Sequence, residues 1–227
     1  MTKFLAAFGM IILSTTLSFV RKPVGESEAP EFQGPEVVKA GELNYPVRSV
    51  AYGIVVLEVT VDASGEVEAA NVVRDIVSLT PEAIRAVKGW QFRPAKLEGK
   101  PIESRTTVVV VFNPALNNPP DATLPPLANH EQKQSQPFSP PRVIEAVYPK
   151  YPIWSAAWGT VVLKLEIDAE GRAQGMEILR DIASLTPEAV QAVKGWKFEP
   201  ATLDGRQVSS KMAVAFVFRQ PVHTNSR

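Results

Sequence analysis

The sequence has no cysteine, and among its 227 residues only two histidines, His130 and His223. The first absence excludes disulfides, thiolate metal sites and cysteine nucleophiles. The second leaves histidine catalysis and histidine-bound zinc without material, because one histidine falls in a Pro-rich stretch and the other in the C-terminal tail. Excess charge is missing too. With 24 basic and 24 acidic side chains the net charge is zero, so no long-range field draws the chain to nucleic acid or anionic lipid. Glycine-rich phosphate loops, nucleophile elbows and carboxylate–histidine clusters are also absent. The chain therefore reads as a non-enzyme with no catalytic, cofactor or metal site. Arg74-Asp75 and Arg180-Asp181 read as solvated ion pairs at strand ends. What is present is an ordinary hydrophobic content of 45%, enough for packed cores.

Residues 1–22 form an export or anchoring segment. Lys3 precedes an apolar run, Phe4 to Val20, that Arg21-Lys22-Pro23 stops. A short positive start before an apolar stretch is the layout of a signal peptide, here with a cleavage position after Ser18. The 17-residue run also reaches the lower limit for a membrane span, so an uncleaved inner-membrane anchor is the second reading. Either one places the remainder outside the cytoplasm, after a short linker at 23–34.

The remainder is one unit written twice. Tyr45-Pro46 recurs as Tyr151-Pro152, Trp90 as Trp196 and Phe112 as Phe218, each 106 positions later without a gap. About half of the positions between Tyr45 and Phe112 equal their mates. This sets two domains at 35–113 and 141–219, a Pro-rich linker at 114–140 and a tail at 220–227. Proline among Asn, Gln and Ser keeps such a linker extended.

Each unit has the same grammar. Val55, Leu57, Val59 and Val61 alternate with their neighbours at strand period, as do Val161, Leu163, Leu165 and Ile167. Asp62-Ala63-Ser64-Gly65 and Asp168-Ala169-Glu170-Gly171 turn the chain into a hairpin. The return strand slips phase once in both copies, which predicts a β-bulge near Ala69 and Gly175. Thr80 as cap, Pro81 in the first turn and Glu82 at the positive end of the dipole predict a helix, with a short helical turn ahead of it at 47–51. A last strand follows at about 103–112. The fold class is α+β, with two tandem domains, each a three-stranded antiparallel sheet packed by one main helix in the order β-β-α-β. Trp90, Phe92, Trp196 and Phe198 are the predicted core.

Trp-x-Phe-x-Pro-Ala at Trp90–Ala95 and Trp196–Ala201, Tyr-Pro ahead of the first strand, Gly-x-Val-Val-Leu opening it, Asp-x-x-Gly in the hairpin and Leu-x-Gly-Lys-Pro at Leu97–Pro101 occur in one order. Together they resemble the C-terminal domain of the TonB energy transducers. The resemblance implies a periplasmic domain that grips a segment of a TonB-dependent outer-membrane receptor, the peptide adding as a strand to the sheet edge. Inner-membrane motor proteins are further partners it admits. It implies contacts at Tyr45, Pro46, Tyr151 and Pro152 and at the final strands, 106–112 and 212–218. Two departures stand out: Phe4–Val20 has no histidine, and the Pro-rich segment separates two domains instead of preceding one. An envelope adaptor that binds extended peptides without energy transduction is the alternative reading.

The copies differ on the outward face of the last strand. Thr107, Val109 and Val111 lie beside Ile54 and Val56 in the first copy, whereas Ala213, Ala215 and Val217 lie beside Thr160 and Val162 in the second. Nothing in the first domain covers these valines, so they predict an interface. The first copy would then associate with itself, as a homo-oligomer, or with the second copy, while the second keeps an edge free for a receptor peptide. The competing reading lays the preceding linker across this face.

Overall fold

The computed structural model describes residues 31–114, 122–123 and 137–219. The N-terminal segment read as signal or anchor, both histidines, most of the Pro-rich segment and the tail lie outside the described residues. In the first copy the chain runs β1 (Phe32–Gln33), β2 (Glu36–Lys39), β3 (Gly53–Val61), β4 (Val67–Arg74), α1 (Thr80–Val87), β5 (Gln91–Arg93), β6 (Ala95–Leu97), β7 (Lys100–Ile102) and β8 (Ser104–Asn113). After β9 (Ala122–Thr123) the second copy repeats the order as β10 (Phe138–Ser139), β11 (Arg142–Ala146), β12 (Gly159–Ile167), β13 (Ala173–Arg180), α2 (Thr186–Val193), β14 (Lys197–Glu199), β15 (Ala201–Leu203), β16 (Arg206–Val208) and β17 (Ser210–Phe218).

Local chemistry sets these elements. The Asp62 carboxylate accepts from the Ser64 and Glu66 amides at 2.8 and 3.0 Å and folds the β3–β4 hairpin. Gly65 follows with φ +91°, in the left-handed region that glycine enters without strain. Its carbonyl accepts from the Phe92 amide at 3.0 Å, so the hairpin tip is docked on the Trp-x-Phe strand. Pairing jumps from Thr60↔Ala69 to Val61↔Val67, leaving Glu68 as the extra residue, and Gln174 is its mate. These are the expected bulges, one residue ahead of Ala69 and Gly175, and each return strand has a second, unexpected one at Val73 and Leu179. Helix α1 begins differently from the expectation. Thr80 is its first helical residue and makes no cap bond. Its hydroxyl instead turns back to bond the Ile76 amide and carbonyl, at 2.9 and 3.2 Å. The segment at 47–51 is not helical; a turn closes it, with the Ser49 amide donating to Pro46 at 2.9 Å. The segments read as linkers also contribute strands. Phe32–Gln33 pairs with β6 and Phe138–Ser139 with β15, because the apolar rings of Phe32 and Phe138 meet with centroids 4.6 Å apart.

Each copy holds the expected three-stranded antiparallel sheet, β4-β3-β8 and β13-β12-β17, but the two sheets are one. Strands β8 and β17 pair in parallel, giving a six-stranded sheet of order β13-β12-β17-β8-β3-β4. The register pairs Val108 with Ala213, one residue short of its repeat mate Val214. That odd offset has a geometric cause. A two-fold axis parallel to the strands exchanges the copies and turns the sheet over, so lateral neighbours on one face come from positions of opposite parity. The helices consequently sit on opposite faces. Val55, Leu57, Val59, Val108, Val110 and Phe112 pack with Ala83, Val87 and Trp90 of the first copy, and Val162, Ala213, Ala215 and Val217 extend that layer. On the other face Val161, Leu163, Leu165, Val214 and Phe216 pack with Ala189, Val193, Trp196 and Phe198, joined by Ile54, Val56, Val109 and Val111.

Candidate peptide-docking edges

The outward valines are covered within the chain. Val109 and Val111 are fully buried, as are Ala215 and, nearly so, Ala213 and Val217. The segment after the linker lies on the first copy's bare face: the Thr107 hydroxyl donates to the Pro141 carbonyl at 2.6 Å, and Val143 and Ala146 join the valine layer. The arm ahead of Tyr45 does the same for the second copy. There the Leu43 amide donates to the Thr160 hydroxyl at 3.1 Å, and that hydroxyl donates back to the Leu43 carbonyl at 2.7 Å. The exposed patch expected in the first copy is therefore absent. Its residues meet the second copy, and neither final strand has a free edge, because β8 lies between β3 and β17 and β17 between β12 and β8. A receptor peptide cannot add to 106–112 or 212–218 in this arrangement. Sequence could not show this, because repeat period alone does not reveal how two bare faces are closed.

Tyr45 and Tyr151 are corners. Each hydroxyl donates to a carbonyl six residues on, Ala51 and Ala157. Their rings stand edge-on to Phe112 and Phe218, at 5.5 and 6.1 Å, and burial pushes both phenols up in pKa. Beside the first corner Leu43–Val47, Trp158, Gly159 and Val217–Arg219 line a cleft of about 570 Å³. The Arg219 guanidinium lies 5.4 Å from the Tyr45 ring centroid. Pro46 lines this cleft; Pro152, at the second corner, is buried.

The free edges of the large sheet are β4 and β13. Along β13 runs a groove of about 640 Å³, walled by Glu170–Met176 on one side and by Ile144, Trp196 and Phe198 on the other. Gly175 stands on this edge without a side chain, and Ile178 is half exposed. Trp196 itself is held from below, its indole N–H donating to Val147 at 2.9 Å. An edge strand with unpaired amides beside an apolar trough is equipped to take an extended peptide by strand addition.

Ionic chemistry concentrates at the junction. Glu36 of the first copy is bonded by Lys164 and, at 3.0 Å, by Lys211 of the second. Burial pushes the Glu36 carboxyl up, but the two ammonium bonds outweigh it and hold the pKa at about 2. Arg180 pairs with Glu42 across the copies at 3.0 Å, not with the adjacent Asp181. The sequence reading missed this network. Its signal is present in the repeat comparison, where Glu36 faces Arg142 and Lys164 faces Glu58 as mates of inverted charge. Among the described residues no His, Asp and Glu cluster could hold a metal ion, and no helix is long and apolar enough to cross a membrane.

Helix-backed sheets with open outer edges define a class: small α+β modules, here duplicated and fused edge to edge. Residues 42–114 and 145–219 each match the family of Gram-negative bacterial TonB protein C-terminal domains, and the chain belongs to that family in two tandem copies. The family is envelope-associated and acts as a non-enzymatic transducer domain. No curated protein and no solved structure matches the chain.

Proposed function

We propose that this chain is a periplasmic TonB-like protein that docks on TonB-dependent outer-membrane receptors in energy-coupled transport, taking an extended receptor segment as a strand at the outer edge β13. The groove beside that edge carries the reading: it offers unpaired backbone on one side and the Trp196 and Phe198 trough on the other. Family membership supplies the partner class. The same membership, with the apolar run at residues 4–20, supports the periplasmic placement. The test is a titration of the isotopically labelled protein with synthetic peptides copying the N-terminal segments of such receptors. Amide shifts should concentrate on 173–180. Ile144→Asp, on the exposed wall of the groove, should weaken binding about tenfold without lowering the melting temperature. Shifts confined to other parts of the chain would sink the proposal.

A further inference from the structure

The six most exposed apolar side chains ahead of the two first strands share one end of the molecule. Gly53 pairs with Phe112 and Gly159 with Phe218, and β8 and β17 run parallel. The Tyr-Pro loops therefore leave the sheet at the same end. Val47 and its mate Ile153 are 95% and 99% exposed, and Trp154 is 76% exposed. Val50, Tyr52 and Trp158 add to the same surface. Apolar loop tips this bare are costly in water unless something covers them.

The tips are built to stay out. In the first loop the Tyr45 hydroxyl holds Ala51, the Ser49 amide holds Pro46, and the Ser49 and Ser78 hydroxyls meet at 2.8 Å. The second loop repeats all three contacts at Tyr151, Ser155 and Ser184. Two rigid prongs thus project the same way along the pseudo-two-fold axis. Each carries one cation, Arg48 or Lys150, and no acidic residue occurs in 45–52 or 149–158.

We infer that this end is a lipid-docking surface, two prongs that seat Val47, Ile153 and Trp154 in a phospholipid bilayer with anionic headgroups. Side chains this exposed touch almost nothing of their own protein. A rigid partner would have to supply a separate pocket for each, whereas a bilayer takes both tips without any. Tryptophan with aliphatic side chains beside Arg and Lys is the composition that settles at a membrane interface. The chain comes in at the opposite end: a Cβ on Gly34 would lie 3.0 Å from the Ser210 hydroxyl, at the start of β17. The prongs therefore stand about 30 Å away, the length of a nine-residue strand, and face away from whatever holds the N-terminus.

All four tryptophans lie in the repeats and none in 1–30, so indole fluorescence reads the tips whatever the N-terminal run does. The full chain is mixed with vesicles of phosphatidylethanolamine and phosphatidylglycerol, with and without brominated acyl chains. Wild type should show a blue shift and bromine quenching that Trp154→Phe largely removes. The double variant Val47→Asp/Ile153→Asp, at positions with no packing to lose, should keep its melting temperature and bind at least about tenfold more weakly. Pure phosphatidylcholine should quench less. Absence of quenching, quenching indifferent to the double variant, or an end-to-end dimer in sedimentation that the variant abolishes would each overturn the assignment.

Discussion

At the scale of single residues, two glycines with similar backbone angles have different jobs. A Cβ on Gly65 would meet the Phe92 carbonyl oxygen at 2.1 Å, whereas one on Gly99 meets nothing within 4 Å. Gly65→Ala should therefore cost about 2–4 kcal/mol and Gly99→Ala about 1 kcal/mol, read from denaturant melts. The two core indoles also differ. The Trp196 N–H has the Val147 carbonyl, while the Trp90 N–H is buried with no partner among the described residues. Trp196→Phe should thus cost about 1 kcal/mol more than Trp90→Phe in the same assay. Glu36 gives the pH dependence. Its carboxyl lies near 4.5 when unfolded and at about 2 when folded, so its contribution is complete above pH 4.5 and fades as pH falls toward 2. Glu36→Gln should remove about 1–3 kcal/mol at neutral pH and flatten the acid limb of the melting-temperature profile between those values. An unchanged acid limb would show that the two lysines do not set this carboxyl.

At the scale of elements, the pairing of β8 with β17 explains why the copies diverged where they did. The first copy keeps valines at 109 and 111 to fill the layer under Trp196 and Phe216, and the second keeps alanines at 213 and 215 under Trp90. Charge follows the same division. By the pseudo-symmetry a pair of second copies would set Arg142 against Lys164 and Lys211, whereas a pair of first copies would set Glu36 against both Glu58 and Arg105, one repulsive contact and one attractive. Repulsion among those three cations disfavours the second-copy pair, a device of specificity more than of stability. Ala215 shows how far this departs from the sequence reading, in which it is an outward position on a final strand that contacts the receptor. It is fully buried, and Ala215→Lys should cost at least about 3 kcal/mol, as much as Val109→Lys, by calorimetry. A melting temperature untouched by Ala215→Lys would mean that the junction is open in solution.

At the scale of the whole molecule, the two repeats share one sheet and both core layers. The sequence draws two separate domains, 35–113 and 141–219, joined by an extended Pro-rich linker. In the structure each copy's core layer contains side chains from the other, and the arms cross onto each other's sheets. The full chain should unfold in one calorimetric transition whose van't Hoff and calorimetric enthalpies agree. Val109→Lys should lower the melting of both copies together. Two resolved transitions in the wild type would refute the fused sheet.

The sequence by itself determined the duplicated unit, its β-β-α-β order, one bulge in each return strand and the tryptophan–phenylalanine core. These rest on local periodicity, turn chemistry and the 106-residue repeat, all carried by neighbours along the chain. The family follows from the same residues. Sequence also marked the outward valines of the first copy as needing a cover. What covers them was decided only in three dimensions, because the cover comes from residues more than thirty positions away and from a sheet that had to be turned over to supply it. That inversion removes the two final strands from docking, leaves β4 and β13 as the edges, and brings both Tyr-Pro loops to one end. A pairing between two strands of equal hydrophobicity leaves no local pattern in either of them.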